Sequence, residues 1–290
     1  MRNFLKKTTL LCTLFCMLGG AAALAQVKSV TVPSHEPPKQ PIVIEGPMPI
    51  EAQNLAARLE NVREERTGNY IFYIGTLDSY PVIVAKTSKG MENTAAATAI
   101  AIERYKPIAV INQGTSGGHD PNLNVGDIVL GKKVFNAGNF KTPTRQAGEG
   151  SDPFQWIPMD VMASEGSAGE NQDAEKVRYY EGNPQLLRIA NSLKHQYTRG
   201  KVVEGTVASA NFWNNELDRM NWLHTEYGSS VEEMEAASAA LICEAYQVPF
   251  LTVRVLSNNK TNGGKYDPST AKDCQDFVEK IVRAYIKSLQ

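Results

Sequence analysis

Cysteine is scarce in this chain, with four residues in 290, and two of those, Cys12 and Cys16, fall in the first eighteen positions. The remaining pair, Cys243 and Cys274, is too few for a disulfide framework. Histidine is equally thin. His35, His119, His195 and His224 are scattered without metal-ligand spacing, so no metal site and no cofactor is expected. Neither sign of charge dominates, with 30 Lys and Arg against 31 Asp and Glu. No basic patch stands out, which argues against nucleic acid as a partner. There is no internal repeat, no evident domain linker, and no long apolar run beyond the N-terminal segment.

That N-terminal segment has a pattern of its own. Arg2, Lys6 and Lys7 precede an apolar run over residues 8–18, and Ala23-Leu24-Ala25 fits a small-residue cleavage site. Residues 1–25 are therefore read as a signal peptide, with a mature chain starting near Gln26 and exported to the periplasm or beyond. The apolar run is short for a membrane anchor, and Cys16 sits in a poor lipoprotein context. Loss of this segment leaves 27 basic against 31 acidic side chains, and no membrane association is expected after cleavage. Residues 26–40, with Pro33, Pro37 and Pro38, read as an extended leader.

From residue 41 onward, apolar strands alternate with helical stretches. The pattern predicts a strand over 41–45, a helix over 49–65, and a hairpin-like pair over 69–75 and 80–86. A helix over 93–105, a buried strand over 107–112 and a strand over 125–130 follow. Next come a helix over 184–196, a strand over 202–209, a helix around 214–222 and a closing amphipathic helix over 271–289. Such alternation predicts one α/β domain. Residues 137–178 break it. They are rich in Gly, Ser, Thr, Asp and Glu, and read as a long insertion, either surface decoration or a lid.

Polar groups collect at four strand ends, which is where ligands sit in open α/β sheets. Met48-Pro49-Ile50-Glu51 leads into a helix. Glu51 suits the first turn of that helix, with or without a further role. Gln113-Gly114-Thr115-Ser116-Gly117-Gly118 allows close backbone approach to a ligand, but it lacks the lysine of a P-loop. Ser209-Ala210-Asn211-Phe212-Trp213 ends a strand on two aromatics, suited either to a core or to stacking on a flat ring. The fourth segment opens on Glu232-Glu233-Met234-Glu235 and closes on Arg254, Ser257 and Asn258.

Together, Gly114–Gly118, Val125-Gly126-Asp127-Ile128-Val129, Glu233-Met234-Glu235-Ala236 and Val253-Arg254-Val255-Leu256-Ser257 resemble the nucleoside phosphorylase superfamily over about residues 41–289. Within it the chain looks closest to methylthioadenosine/S-adenosylhomocysteine nucleosidases. The resemblance implies a three-layer α/β sandwich with a central mixed β-sheet, a purine nucleoside as small-molecule partner, and a homodimer. It also implies roles. Glu51 would activate water, and Glu233, Arg254 and Thr115 would help to hold it. Glu235 would accept hydrogen bonds from the ribose hydroxyls, with Met234 packed on the sugar. Phe212 would stack on the base, and backbone groups near Trp213 would read its edge. Ser257 belongs to the same strand-end motif. No phosphate-binding arginine follows the first strand, and Glu92 would repel phosphate, which favours hydrolysis over phosphorolysis. One position departs from the pattern. The nucleosidases carry an aspartic acid where this chain has Asn258, and an amide cannot serve as a general acid. Asn258 thus implies either a shift towards 6-oxopurine nucleosides or a binding or storage protein of low activity. A phosphate-dependent phosphorylase is the third reading.

Overall fold

The computed structural model describes residues 39–162 and 175–290. The expected signal peptide, all of the leader except residues 39 and 40, and positions 163–174 of the insertion lie outside the described residues. The chain enters through β1 (Ile42–Gly46) and α1 (Pro49–Ala56). A meander follows, made of β2 (Glu60–Thr67), β3 (Tyr70–Leu77) and β4 (Tyr80–Lys86). Next come α2 (Met91–Tyr105), β5 (Ala109–Gly118) and β6 (Ile128–Asn136). Short strands β7 (Phe140–Lys141), β8 (Ile157–Pro158), β9 (Val161–Met162), β10 (Lys176–Val177) and β11 (Tyr180–Glu181) occupy the insertion and its exit. The remainder is α3 (Pro184–Ser192), β12 (Val202–Ser209), α4 (Leu217–Tyr227), β13 (Ser229–Glu233), α5 (Ala236–Ala245), β14 (Phe250–Asn258) and α6 (Thr270–Ser288).

The sheet is mixed. Its centre is parallel, β4–β1–β5–β14, and β3 and β2 extend one edge antiparallel. Beyond the centre it closes on itself. β14 pairs with β6, β6 with β12, β12 with β13, and β13 returns to β5 at Gly117 and Gly118. This closure is possible because β1 ends at Gly46 and leaves that edge of β5 free for β13.

Strands covered on both faces read as nearly continuous apolar runs, and β1, β5 and β14 do so. One helical layer, α1, α3 and α6, packs Leu55, Leu186, Phe277 and Ile281 against Ile44, Ile111 and Leu251. The opposite layer, α2 and α5, packs Ala101, Ala236 and Ala240 against Val43, Val110 and Val129. Cys243 lies in the second layer and Cys274 in the first, both buried and unpaired. The architecture is thus the expected three-layer sandwich.

Several element boundaries differ from the sequence reading; the strand expected over 107–112 runs on to Gly118, and the helix expected over 184–196 ends at Ser192. The helix predicted over 49–65 stops at Ala56, and Glu60–Thr67 is an edge strand instead. Its charged, largely exposed residues carry no apolar alternation that would mark a strand. The strand expected over 125–130 begins at Ile128 and runs on to Asn136, through exposed Lys132 and Lys133. The helix expected around 214–222 starts at Leu217 and continues to Tyr227. Within the insertion, β7 pairs with β8, and Phe140 and Phe154 rest on Trp222 of α4 with ring centroids 6.4 and 6.2 Å apart. The described parts of the insertion are therefore packed on the domain.

Candidate active site

A cavity of about 260 Å³ opens at the carboxyl ends of β1, β5, β13 and β14. Its lining includes Glu51, Thr115, Phe212, Trp213, Glu233, Met234, Glu235, Ser257 and Asn258 from the sequence prediction. Arg254 is fully buried behind the glutamates and does not reach the cavity surface.

Glu51 is the third residue of α1. Its Oε2 accepts from the backbone N–H of Met48 at 3.2 Å, as helix-capping acids do. Its Oε1 accepts from both the backbone N–H and the hydroxyl of Thr115, each at 2.8 Å. Both oxygens are thereby held across the gap between β1 and β5. Burial pushes the Glu51 carboxyl above its usual range, against the opposing influence of the Thr115 hydrogen bond and the Arg254 charge. Gly114 makes this approach possible, since a Cβ there would stand 2.9 Å from both Arg254 Nη1 and Glu51 Oε1.

Glu233 is consumed by structure. Its carboxylate accepts from the hydroxyl of Ser209 and from the backbone N–H groups of Glu235 and Ala236, the latter two at 2.9 Å through Oε2. Those N–H groups are unpaired donors at the start of α5, so an anion there also meets the positive end of the helix. Arg254 Nη2 lies 2.6 Å from the same Oε2. Nη1 of Arg254 reaches Glu235 at 3.4 Å, and Nη2 also donates to Asn112, which in turn donates to buried Glu45 at 3.0 Å. Arg254 therefore fixes two acids rather than touching the cavity, which corrects the expectation that it contacts the water directly.

Glu235 Oε1 accepts from the Gly90 N–H at 3.1 Å. Burial and the neighbouring Glu233 charge raise its carboxyl well above the ordinary range, with Arg254 opposing. One guanidinium thus faces three carboxyl groups, two of which, Glu51 and Glu235, are pushed towards their neutral forms by burial. Glu92 is absent from the lining. Its carboxylate is held by Asn211 at 2.5 Å, so opposition to an anion comes from Glu51 instead.

At the far end, the Ser257 hydroxyl donates to Asn258 Oδ1 at 2.8 Å. Phe212 and Trp213 are 54% and 57% exposed, which excludes the core alternative for this pair. Sequence reasoning gave no role to Lys89, Ser116, Asn214, Glu232 and Tyr266, all of which line the cavity. The Tyr266 hydroxyl is buried without a partner among the described residues. No local pattern marks it, because it follows a turn rather than a strand end.

The phosphorylase superfamily profile matches residues 41–287. A 5′-methylthioadenosine/S-adenosylhomocysteine nucleosidase of Geobacillus sp. (strain WCH70) is 29% identical over 252 residues, covering 85% of this chain and 99% of the relative. One from Anoxybacillus flavithermus is 29% identical over 218 residues, covering 75% and 84% respectively. Among solved structures, the nucleosidase of that name from Neisseria meningitidis, in complex with methylthio-immucillin-A, superposes with a TM-score of 0.69 at 22% identity. It covers 85% of this chain and all of that one. Futalosine hydrolase of Helicobacter pylori superposes with a TM-score of 0.67 at 20% identity, covering 84% and 97%. With the profile spanning nearly the whole described domain, the chain belongs to the phosphorylase superfamily.

Proposed function

We propose that the protein is a purine nucleosidase that cleaves the N-ribosidic bond with water. The observation that carries this reading is the buried Glu51 carboxylate, clamped by Thr115 and Met48 and sharing one cavity with Glu235 and Asn258. Breaking the bond builds positive charge on the ribose and negative charge on the base. The ionised Glu51 carboxylate stabilises the first, in a site where preorganised charge counts for more than in water. Glu51 takes a proton from the attacking water, and a carboxyl held above its ordinary range suits a general base. Glu235 accepts from the ribose hydroxyls, Met234 packs on the sugar, and Phe212 and Trp213 offer faces to the base. Arg254 and Glu233 are positioning residues. The names of the relatives, nucleosidases and a hydrolase, support the same chemistry.

A phosphate nucleophile fits poorly, because ionised Glu51 would meet it with like charge. Base release from methylthioadenosine, adenosine, inosine and guanosine, with and without phosphate, tests this. Release independent of phosphate is expected. Stimulation by phosphate would make the protein a phosphorylase, and tight binding without turnover would make it a binding protein. Because Glu51 must be ionised, turnover falls as pH drops through its pKa, which lies above the ordinary 4.5. Export and assembly into a homodimer complete the proposal, supported by residues 1–25 and by the resemblance. The mass and N-terminus of the secreted species, two chains each starting near Gln26, check both.

A further inference from the structure

Glu232 stands at the base end of the cavity and is only 8% exposed. It pairs with Gly117 from β13, and Asn258 pairs with the same Gly117 from β14. Residues opposite one another on adjacent strands project to the same face. Gly117 has no side chain, and a Cβ there would lie 3.4 Å from Asn258 Nδ2. Glu232 and Asn258 thus flank the gap that Gly117 leaves.

Beside Glu232 lies His119, 7% exposed. Its Nδ1 is 2.9 Å from the Ser229 hydroxyl, and that hydroxyl donates to the Val231 carbonyl at 3.2 Å. In the tautomer with the Ser229 hydroxyl proton on Val231, His119 donates through Nδ1 and a lone pair is left on Nε2. Nε2 is buried without a hydrogen-bond partner among the described residues, and stands 3.6 Å from Glu232 Oε2. Burial works against an ion pair, pushing the His119 pKa down to about 3. Two lone pairs facing each other in a dry site repel. A proton on Glu232 turns that contact attractive.

We infer that Glu232 is held by His119 as a neutral carboxylic acid and donates its proton to the departing base, the step that Asn258 cannot perform. The inference rests on the nucleosidase reading above. In the reaction, the water oxygen bonds to C1′ and Glu51 takes a water proton. The C1′–N bond breaks and its electron pair goes to the base, which receives the Glu232 proton. Ribose and neutral base leave, Glu51 releases its proton, and Glu232 regains one from solvent.

The electrostatic surroundings agree. Burial raises the Glu232 carboxyl to about 7, against the influence of Asn214 and Arg219, while the Glu233 charge adds to the rise. The other groups around it are His119 and Asn258, while His224, whose Nδ1 bonds the Ser229 carbonyl at 2.8 Å, acts on His119. Glu232 must begin protonated, so turnover falls as pH rises through about 7. Ionised Glu51 supplies the acid limb, and the profile is bell-shaped.

The test uses the full mature protein with two substrates, a purine nucleoside from the panel above and p-nitrophenyl riboside, whose phenolate leaves without a proton. Glu232→Gln keeps a donor for His119 Nε2 but has no acidic proton. Its kcat for the purine nucleoside should drop by on the order of 10²–10⁴-fold with KM kept and the alkaline limb gone. Cleavage of the aryl riboside should persist at the wild-type rate. Equal losses on both substrates would make Glu232 structural and overturn the inference, as would no loss on either. Glu51→Gln, which removes the base, should fail on both. A wild-type protein inert towards every nucleoside and the aryl riboside would sink the nucleosidase reading itself, and this inference with it.

Discussion

Asn258 is oriented by its neighbour. The Ser257 hydroxyl shares its proton between Oδ1 at 2.8 Å and the Ser116 carbonyl at 3.1 Å, and the amide nitrogen is the atom that lies towards Gly117. An N–H donor there favours a base that offers an acceptor, as the carbonyl oxygen of a 6-oxopurine does. An exocyclic amine offers none and leaves the amide unsatisfied. Asn258→Asp reverses the preference, since an ionised carboxylate only accepts. The expected outcome is a shift in the kcat/KM ratio of adenosine to inosine by about tenfold, the scale of one hydrogen bond. An unchanged ratio, with the fold intact, would show that Asn258 does not face the base. The residues Glu51, Glu233, Glu235 and Arg254 were legible in the sequence because they sit in compact strand-end motifs. Glu232 lay in full view in the same motif without a role. Its partner His119 is 113 positions earlier, joined only by pairing of β13 with the end of β5.

At the level of elements, the join between β13, α5 and β14 depends on Arg254. Its guanidinium is fully buried between Glu233 and Glu235 and linked through Asn112 to Glu45. Removing one partner of a buried ion pair leaves uncompensated charge, at a cost of roughly 3–5 kcal/mol. Arg254→Met should lower the denaturant midpoint accordingly. The pH dependence follows from Glu235, whose carboxyl already sits above its ordinary value. Without Arg254 it rises further, so the folded state keeps a proton that the unfolded chain has lost. Stability then increases as pH falls through the folded pKa. Because the wild-type carboxyl takes up its proton only as pH falls through about 8, the gap between Arg254→Met and wild type should narrow from about pH 10 to about pH 7 in urea titrations. A constant gap would place the loss in packing rather than charge. Parallel strands such as β1, β5 and β14 were readable because burial on both faces demands apolar runs. The edge strand β2 was not, because its stability comes from pairing with β3, and its sequence of alternating charges also suits a helix surface.

At the scale of the whole molecule, the insertion reaches the site through α4. Arg219 of α4 is stacked 5.0 Å from the Phe140 ring and 4.4 Å from that of Trp222, and donates to the Pro153 carbonyl at 3.3 Å. Phe140 also meets Trp156, with ring centroids 6.0 Å apart. On the other side of α4, Asn214 lines the cavity, its side chain accepting from the Glu216 N–H at 3.1 Å just ahead of the helix. Arg219 in turn favours the ionised form of Glu232. The insertion is thus mechanically and electrostatically connected to the base end of the cavity. Phe140→Ala removes the stacking face from Arg219 and loosens the layer that holds α4, for a loss of ~2 kcal/mol. It should lower the unfolding temperature and raise KM for nucleosides, because Trp213 and Asn214 lose their fixed position. As Arg219 moves away, the Glu232 carboxyl rises, and the alkaline limb of the rate profile should shift to higher pH. Differential scanning calorimetry and kinetics across pH read all three effects. A lower unfolding temperature with KM and the alkaline limb unchanged would reduce the insertion to a stabilising cover.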